Sequence, residues 1–244
     1  MSEYAEIAEH FKSDTANHTL MLQREDGVFR HLEFGAPRTS MTRITVVAWP
    51  YNLLVAGSHG SFHFARYGDD TADMFGWLRG IRVDPDRWAS KLVNGRDSVS
   101  EYDRDLMVAA INERVAEAIA DDWAPEGLRA AVDEEVLGSH LLDTKDTAFQ
   151  LVSEYEFGAK HRATCSCGQN SGDVSHVDAI MWDIRKHKAD GKGHKISIRQ
   201  TAGFDFDDFT EWNVDKLNYH YVWQCHAASW AIGQYDATRQ AVAS

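Results

Sequence analysis

Cysteine is scarce in this chain, with three residues in 244. An odd and small number, behind no signal peptide, excludes a disulfide framework and points to a reducing compartment. The opening stretch MSEYAEIAEHFKSD is polar and charged where a signal peptide would be apolar. Long hydrophobic runs are missing too, since none approaches the roughly 20 residues that a membrane helix needs. Proline occurs only four times, each at a turn or a helix start. Basic charge is in deficit, and the formal net charge is −13. A field of that sign excludes strong duplex-DNA binding by overall charge, which requires clustered Lys and Arg. There is no Walker A loop, GxGxxG, GxSxG or HExxH. The sequence therefore offers no complete catalytic constellation, and an enzyme is not expected. Together these absences leave a protein of the cytoplasm whose partners are proteins or small molecules.

What is present is core material. Apolar residues make up 43 % of the chain, aromatics 11 %, and there are eight tryptophans, enough for one large or two small packed domains. EYAEIAEHF reads as a helix with Tyr4, Ile7, Ala8 and Phe11 on one face. HTLMLQ, VFRHLEF, RITVVAW, NLLVAG and SFHFAR alternate and are separated by turn signals such as Asp26-Gly27, which predicts an antiparallel meander of five strands. Helical patterns follow in TADMFGWLRG, in PDRWASKLV with Asp84 as N-cap, and in YDRDLMVAAINERVAEAIA with a Val108–Ile111–Val115–Ala118 stripe. Further helices are expected from Pro125 to Gly138 and in TAFQLVSEY. A last helix, from about Asp215 to Arg239, is apolar all round and should be buried. The fold class is α+β.

Charge divides the chain. From Glu101 to Glu156 there are about 15 acids against 4 Lys and Arg, and from His161 to Arg199 about 7 bases against 4 acids. The basic segment contains CSCG and reads as a strand–helix–strand insertion. The expected domains are residues 1–157 with 201–244, and an inserted module at 158–200.

Cys165 and Cys167 at i and i+2 on a strand would place both sulfurs on one face, within reach of a single Zn²⁺. His176 and His187, eleven residues apart on one helix, cannot both join them. His187 extends the inward stripe of Val177, Ile180, Met181 and Ile184, and Gly191 and Gly193 allow the chain to return His194. The set Cys165, Cys167, His187 and His194 would be a closed, structural zinc site. The competing reading is two ordinary thiols near exposed histidines. His10, Asp14 and His18 recur at i, i+4 and i+8 and would align on a continuous helix as a metal-assisted hydrolase centre, although Thr15–Asn17 looks like a helix exit. His59 and His63 with Asp69, Asp70 and Asp73 form a loose cluster that reads as an exposed strand histidine beside a helix-capping acid pair. Cys225 reads as a buried structural thiol.

HFKSDTANH, FRHLEFGAP, AWPYNLLVAGSHGSFHFAR, DMFGWLRG and NYHYVWQCHAASWAIGQYD, in this order, resemble a broad family of bacteriophage early proteins. Within it the likeness is to the recombination directionality factors of temperate Streptomyces phages, which act with large serine integrases. The resemblance covers most of the chain outside the CSCG segment. It implies a bacterial host cytoplasm and direct binding to the integrase, with no DNA site of the factor's own. It also implies a switch from integration to excision, and it brings no catalytic residues. Two charged surfaces are the candidates for that contact. One is acidic, around Glu113, Glu117, Asp121, Glu134 and Glu135. The other is basic, with Arg162, Arg185, Lys186, Lys188 and Lys192. An accessory protein binding some other host or replication protein is the alternative within the same family.

Overall fold

Three tight turns set the first third of the chain. Asp26-Gly27 reverses it with Gly27 at φ +59°, Pro50-Tyr51 with Tyr51 at φ +68°, and Ser58-His59 ahead of Gly60 at φ +95°. In the computed structural model, which describes residues 4–38, 42–68, 72–121, 123–175, 180 and 193–243, these turns join β1 (Thr19–Asp26), β2 (Phe29–Gly35), β3 (Ile44–Trp49), β4 (Asn52–Gly57) and β5 (Gly60–Ala65). The five strands form one antiparallel sheet in sequence order. Helix α1 (Ala5–Thr15) precedes them, and α2 (Met74–Leu78) and α3 (Pro85–Ala89) follow. Next come the short strand β6 (Ser100–Tyr102), then α4 (Arg104–Ala120), α5 (Leu128–Ala131) and α6 (Lys145–Glu154). A hairpin of β7 (Glu156–Cys165) and β8 (Ile196–Asp205), the short β9 (Asp215–Leu217) and the long α7 (Tyr219–Ala243) complete the described elements.

The chain forms two compact units, Met1–Glu101 with Lys216–Ser244, and Tyr102–Asp215. This division differs from the expected boundaries at 157 and 200, because α4 to α6 build a core of their own. Met107, Ile111, Val115, Leu128, Val132, Val136, Leu142, Val152, Phe204, Phe206 and Val214 are buried together in the second unit. On α4 the buried stripe starts at Met107, with Val108 only partly covered.

In the first unit the alternation of the meander sends Leu32, Phe34, Ile44, Val46, Leu53, Val55 and Phe64 to one face, where all are buried. That face packs with α7, whose Tyr221, Val222, Trp223, Cys225, Ala228, Ile232 and Tyr235 are buried around most of its circumference. Aromatic contacts fix the pairing. Phe34 meets Trp230 at 5.1 Å and Phe11 meets Trp223 at 5.0 Å, both edge-on. The helix begins later than its apolar pattern, since Asp215–Leu217 is drawn into β9, paired with β6. Asn218 then caps α7 by accepting from the Tyr221 N–H at 2.8 Å. Gly57 has no room for a side chain, because a Cβ there would lie 2.1 Å from the Arg43 carbonyl oxygen.

A buried cation ties these layers. Arg30, on the inner face of β2, donates to both carboxylate oxygens of Asp73 at 2.6 and 3.3 Å and lies over the rings of Phe75 (4.7 Å) and Tyr235 (5.7 Å). Asp73 also caps α2 by accepting from Phe75 N–H. Burial alone would raise the Asp73 pKa, but the bond and charge of Arg30, with the Phe75 N–H and Arg79, hold it below the usual range. Its contribution to stability is then present above the unfolded carboxylate value near 4 and lost as pH falls through the lower folded value. Asp73→Ala should cost about 2 kcal/mol in chemical denaturation. That is less than the roughly 3–5 of a fully buried pair, because the Asp73 side chain is 33 % exposed. Asp73→Asn should flatten the acid limb of the stability–pH curve, and an unchanged limb would show that the pair contributes nothing.

Candidate functional site

The strand that carries CSCG ends sooner than expected. Extended backbone stops at Cys165, paired with Ile196, and Cys165–Gly168 is a tight turn closed by Gly168 N–H to the Cys165 carbonyl at 2.9 Å, with Gly168 at φ +91°. The turn, rather than the pleat of a strand, brings the sulfurs together. The Cys167 N–H points at Cys165 Sγ, 3.5 Å away, an orientation that stabilises a thiolate. Ser166 ties the turn to the returning chain. Its N–H donates to the Lys195 carbonyl at 2.9 Å, and its Oγ accepts from the Lys195 N–H at 3.2 Å. His194 sits beside that clasp, after Gly193 at φ +64°.

The result is a cluster. The ligand atoms of Cys165, Cys167 and His194 all lie within 4.8 Å of one another, with Cys167 exposed and the other two half-buried. A tetrahedral ion bound through two sulfurs at about 2.3 Å and one nitrogen at about 2.0 Å needs separations of about 3.5–3.8 Å, so side-chain adjustment suffices. The cluster could hold a metal ion, and among the described residues it is the one group of three or more Cys, His, Asp or Glu with this geometry. His187 lies outside the described residues, as do Arg185, Lys186, Lys188 and Lys192. Arg162, the remaining member of the expected basic surface, is held in a two-pronged ion pair with Asp173 at 2.8 and 2.9 Å.

The acidic residues are not one patch. Glu113 and Glu117 on α4 line an open groove of about 460 Å³ in the second unit, floored by Leu106, Ala109, Ala110 and Trp212. Its other side carries Asp207, Asp208 and Glu211, and Arg114, the one cation among the described residues that line it, is paired with Glu117 at 3.2 Å. Asp121 is exposed at the C-terminal end of α4. Glu134 and Glu135 are exposed on a π-helical turn, Val132–Leu137, and Glu135 lines a separate depression with Tyr155. The second rim was missed in the sequence, although DFDDFTEW shows its acids and aromatics openly.

The other clusters disperse. Helix α1 ends at Thr15. Asp14 accepts from the Trp223 indole N–H at 3.0 Å, and His18 Nε2 lies 2.9 Å from the Thr42 carbonyl. Asp14 and His18 are thus engaged in packing, away from any shared ligand position with His10. His63 bonds Asn52 at 2.9 Å and packs with its ring tilted against Trp49, while Asp69 and Asp70 lie outside the described residues. Burial pushes the Cys225 thiol well above its ordinary range, as an inert core thiol requires.

No family model, curated protein or solved structure matches this chain.

Two measurements follow. Purified protein should carry about one thiolate-bound metal per chain, seen with Co²⁺ as a sulfur charge-transfer band, and Cys167→Ser should abolish the band. A band that survives would remove Cys167 from the ligand set. The second concerns Asp205, beside the groove. Burial first, then the hydrogen bond and charge of Asp207 and the charge of Glu156, push its pKa up to about 6. An unfolded aspartate titrates near 3.9, so this contribution is fully present below about pH 4 and lost as pH rises through about 6. Asp205→Asn should therefore stabilise the protein at pH 7, by about 1 kcal/mol once solvent screening is allowed for, with no gain at pH 4.

Proposed function

We propose that this protein is a recombination directionality factor, which binds a phage-encoded large serine integrase and switches it from integration to excision. The reading starts from the ordered segments that resemble such factors. The structural observation that supports it is the groove of the second unit. An apolar floor between two acidic rims suits a basic segment of a protein partner and disfavours a polyanion. Complementary charge of this kind speeds encounter and fixes register more than it adds affinity. The factor then acts by preference. Binding the excisive integrase–DNA arrangement better than the integrative one by roughly 3–6 kcal/mol would move the equilibrium by two to four decades.

In this reading the CSCG cluster holds zinc as a structural staple, with His187 as the fourth ligand expected from the sequence. The metal keeps the end of the β7–β8 hairpin in shape and takes part in no chemistry. DNA cleavage and strand exchange belong to the integrase.

Recombination in vitro with purified integrase tests the proposal. Added protein should turn on recombination between the left and right hybrid sites and suppress that between the original pair. No effect on either reaction rejects it. Glu113→Lys with Glu117→Lys should weaken integrase binding about tenfold and reduce its salt dependence, with the far-ultraviolet circular dichroism unchanged. Full binding by that variant would move the contact away from the groove while leaving the function intact.

A further inference from the structure

The three thiols of this chain are not equivalent. Cys167 is exposed in the turn that follows β7, Cys165 is half-buried beside it, and Cys225 is buried in the core of the first unit. Only the first two can meet each other. Their sulfurs lie within 4.8 Å, and the Cys167 N–H points at Cys165 Sγ. The turn that holds them is closed by the Gly168 N–H on the Cys165 carbonyl at 2.9 Å. Cα atoms two residues apart in such a turn stand about 5.5 Å from each other, inside the roughly 4.4–6.8 Å that disulfides span. Rotation of the two side chains brings the sulfurs to bonding distance without displacing the strands.

We propose that Cys165 and Cys167 are an oxidation site, at which a peroxide joins them in a reversible internal disulfide and so disables the metal cluster. The exposed Cys167 sulfur attacks one peroxide oxygen. The O–O bond breaks, hydroxide leaves, and Cys167 becomes a sulfenic acid. The Cys165 sulfur then attacks that of Cys167, the S–O bond breaks, and a second hydroxide leaves. The two sulfurs give up two electrons and one hydrogen peroxide is reduced to two waters. The protons come from the two thiols, or from solvent where a metal has already displaced them. Of the three clustered ligands only His194 then remains, too few to hold the ion. The new ring is small and exposed, and strained, exposed disulfides are the readily reduced ones, so thiols restore the pair. Ser166 lies within the ring and also clasps Lys195, so closure acts on the end of the β7–β8 hairpin. The site is independent of the integrase reading.

Treatment of the unaltered full chain with a small molar excess of hydrogen peroxide tests this, once as purified and once after a chelator. Mass spectrometry should show a chain lighter by two hydrogen atoms in both samples. The new bond should map to the tryptic peptide that contains both Cys165 and Cys167, with Cys225 still reduced. The oxidised protein should lose the Co²⁺ charge-transfer band and regain it with dithiothreitol. Cys165→Ser should stop the reaction at a sulfenic acid on Cys167, captured by dimedone. Unchanged thiols, a sulfinic acid on Cys167 in place of the disulfide, or a disulfide between two chains would overturn the proposal. An internal disulfide in protein whose reduced form gives no Co²⁺ band would refute the metal reading and leave the oxidation site standing.

Discussion

Arg30 is the charge around which the first unit closes. It stands on the inner face of a sheet strand, 8 % exposed, where an unpaired guanidinium would be untenable. The groups that meet it come from two other elements, α2 and α7. Asp73 brings the N-terminus of α2, Phe75 the body of α2, and Tyr235 the middle of α7. The network extends outward, because Arg79 joins Asp73 to Asp236, and Tyr235 donates to Glu25 on β1 while accepting from Arg239. Hydrophobic burial drives the sheet and the helix together without direction. The buried cation supplies a requirement that few alternative registers could meet.

The second unit handles charge in the opposite way. Its acids are displayed along a groove, opposed among the described lining residues by a single arginine. Beside it the Asp205 pKa is pushed up to about 6, by burial first and then by the hydrogen bond and charge of Asp207 and the charge of Glu156.

Much of the architecture was legible in the sequence because it rests on local physics. Period-two alternation and Asp-Gly or Pro-containing turns announced the meander, and Asp84-Pro85 announced a helix start. The α+β class and the buried last helix follow from the same patterns. The features that escaped depend on distant partners. Nothing near Asp215 shows that it pairs with β6, so the apolar period ran the last helix back too far. The CSCG turn was read as extended because two residues separate sulfurs equally well along a strand or around a bend, and only Ser166 bonding Lys195, 29 residues on, selects the bend. Asp14 and His18 looked like chemistry until Trp223 and Thr42 claimed them. The unit boundary was misplaced for a related reason, since charge changes near residue 157 but the apolar core of α4–α6 does not end there.

The first unit is made from two stretches of chain with about 114 residues between them. Its closing contacts span nearly the whole polypeptide, 209 residues from Asp14 to Trp223 and 210 from Glu25 to Tyr235. A ribosome adding about 5–20 residues per second leaves roughly 8–31 s between completion of the meander at Ala65 and the start of the helix that covers it at Tyr219. Throughout that interval the inner sheet face lacks α7 and is open to chaperones, while Tyr102–Asp215 is being synthesised. Maturation is thus timed by the inserted unit, and its length is a kinetic variable of the protein as well as a structural one.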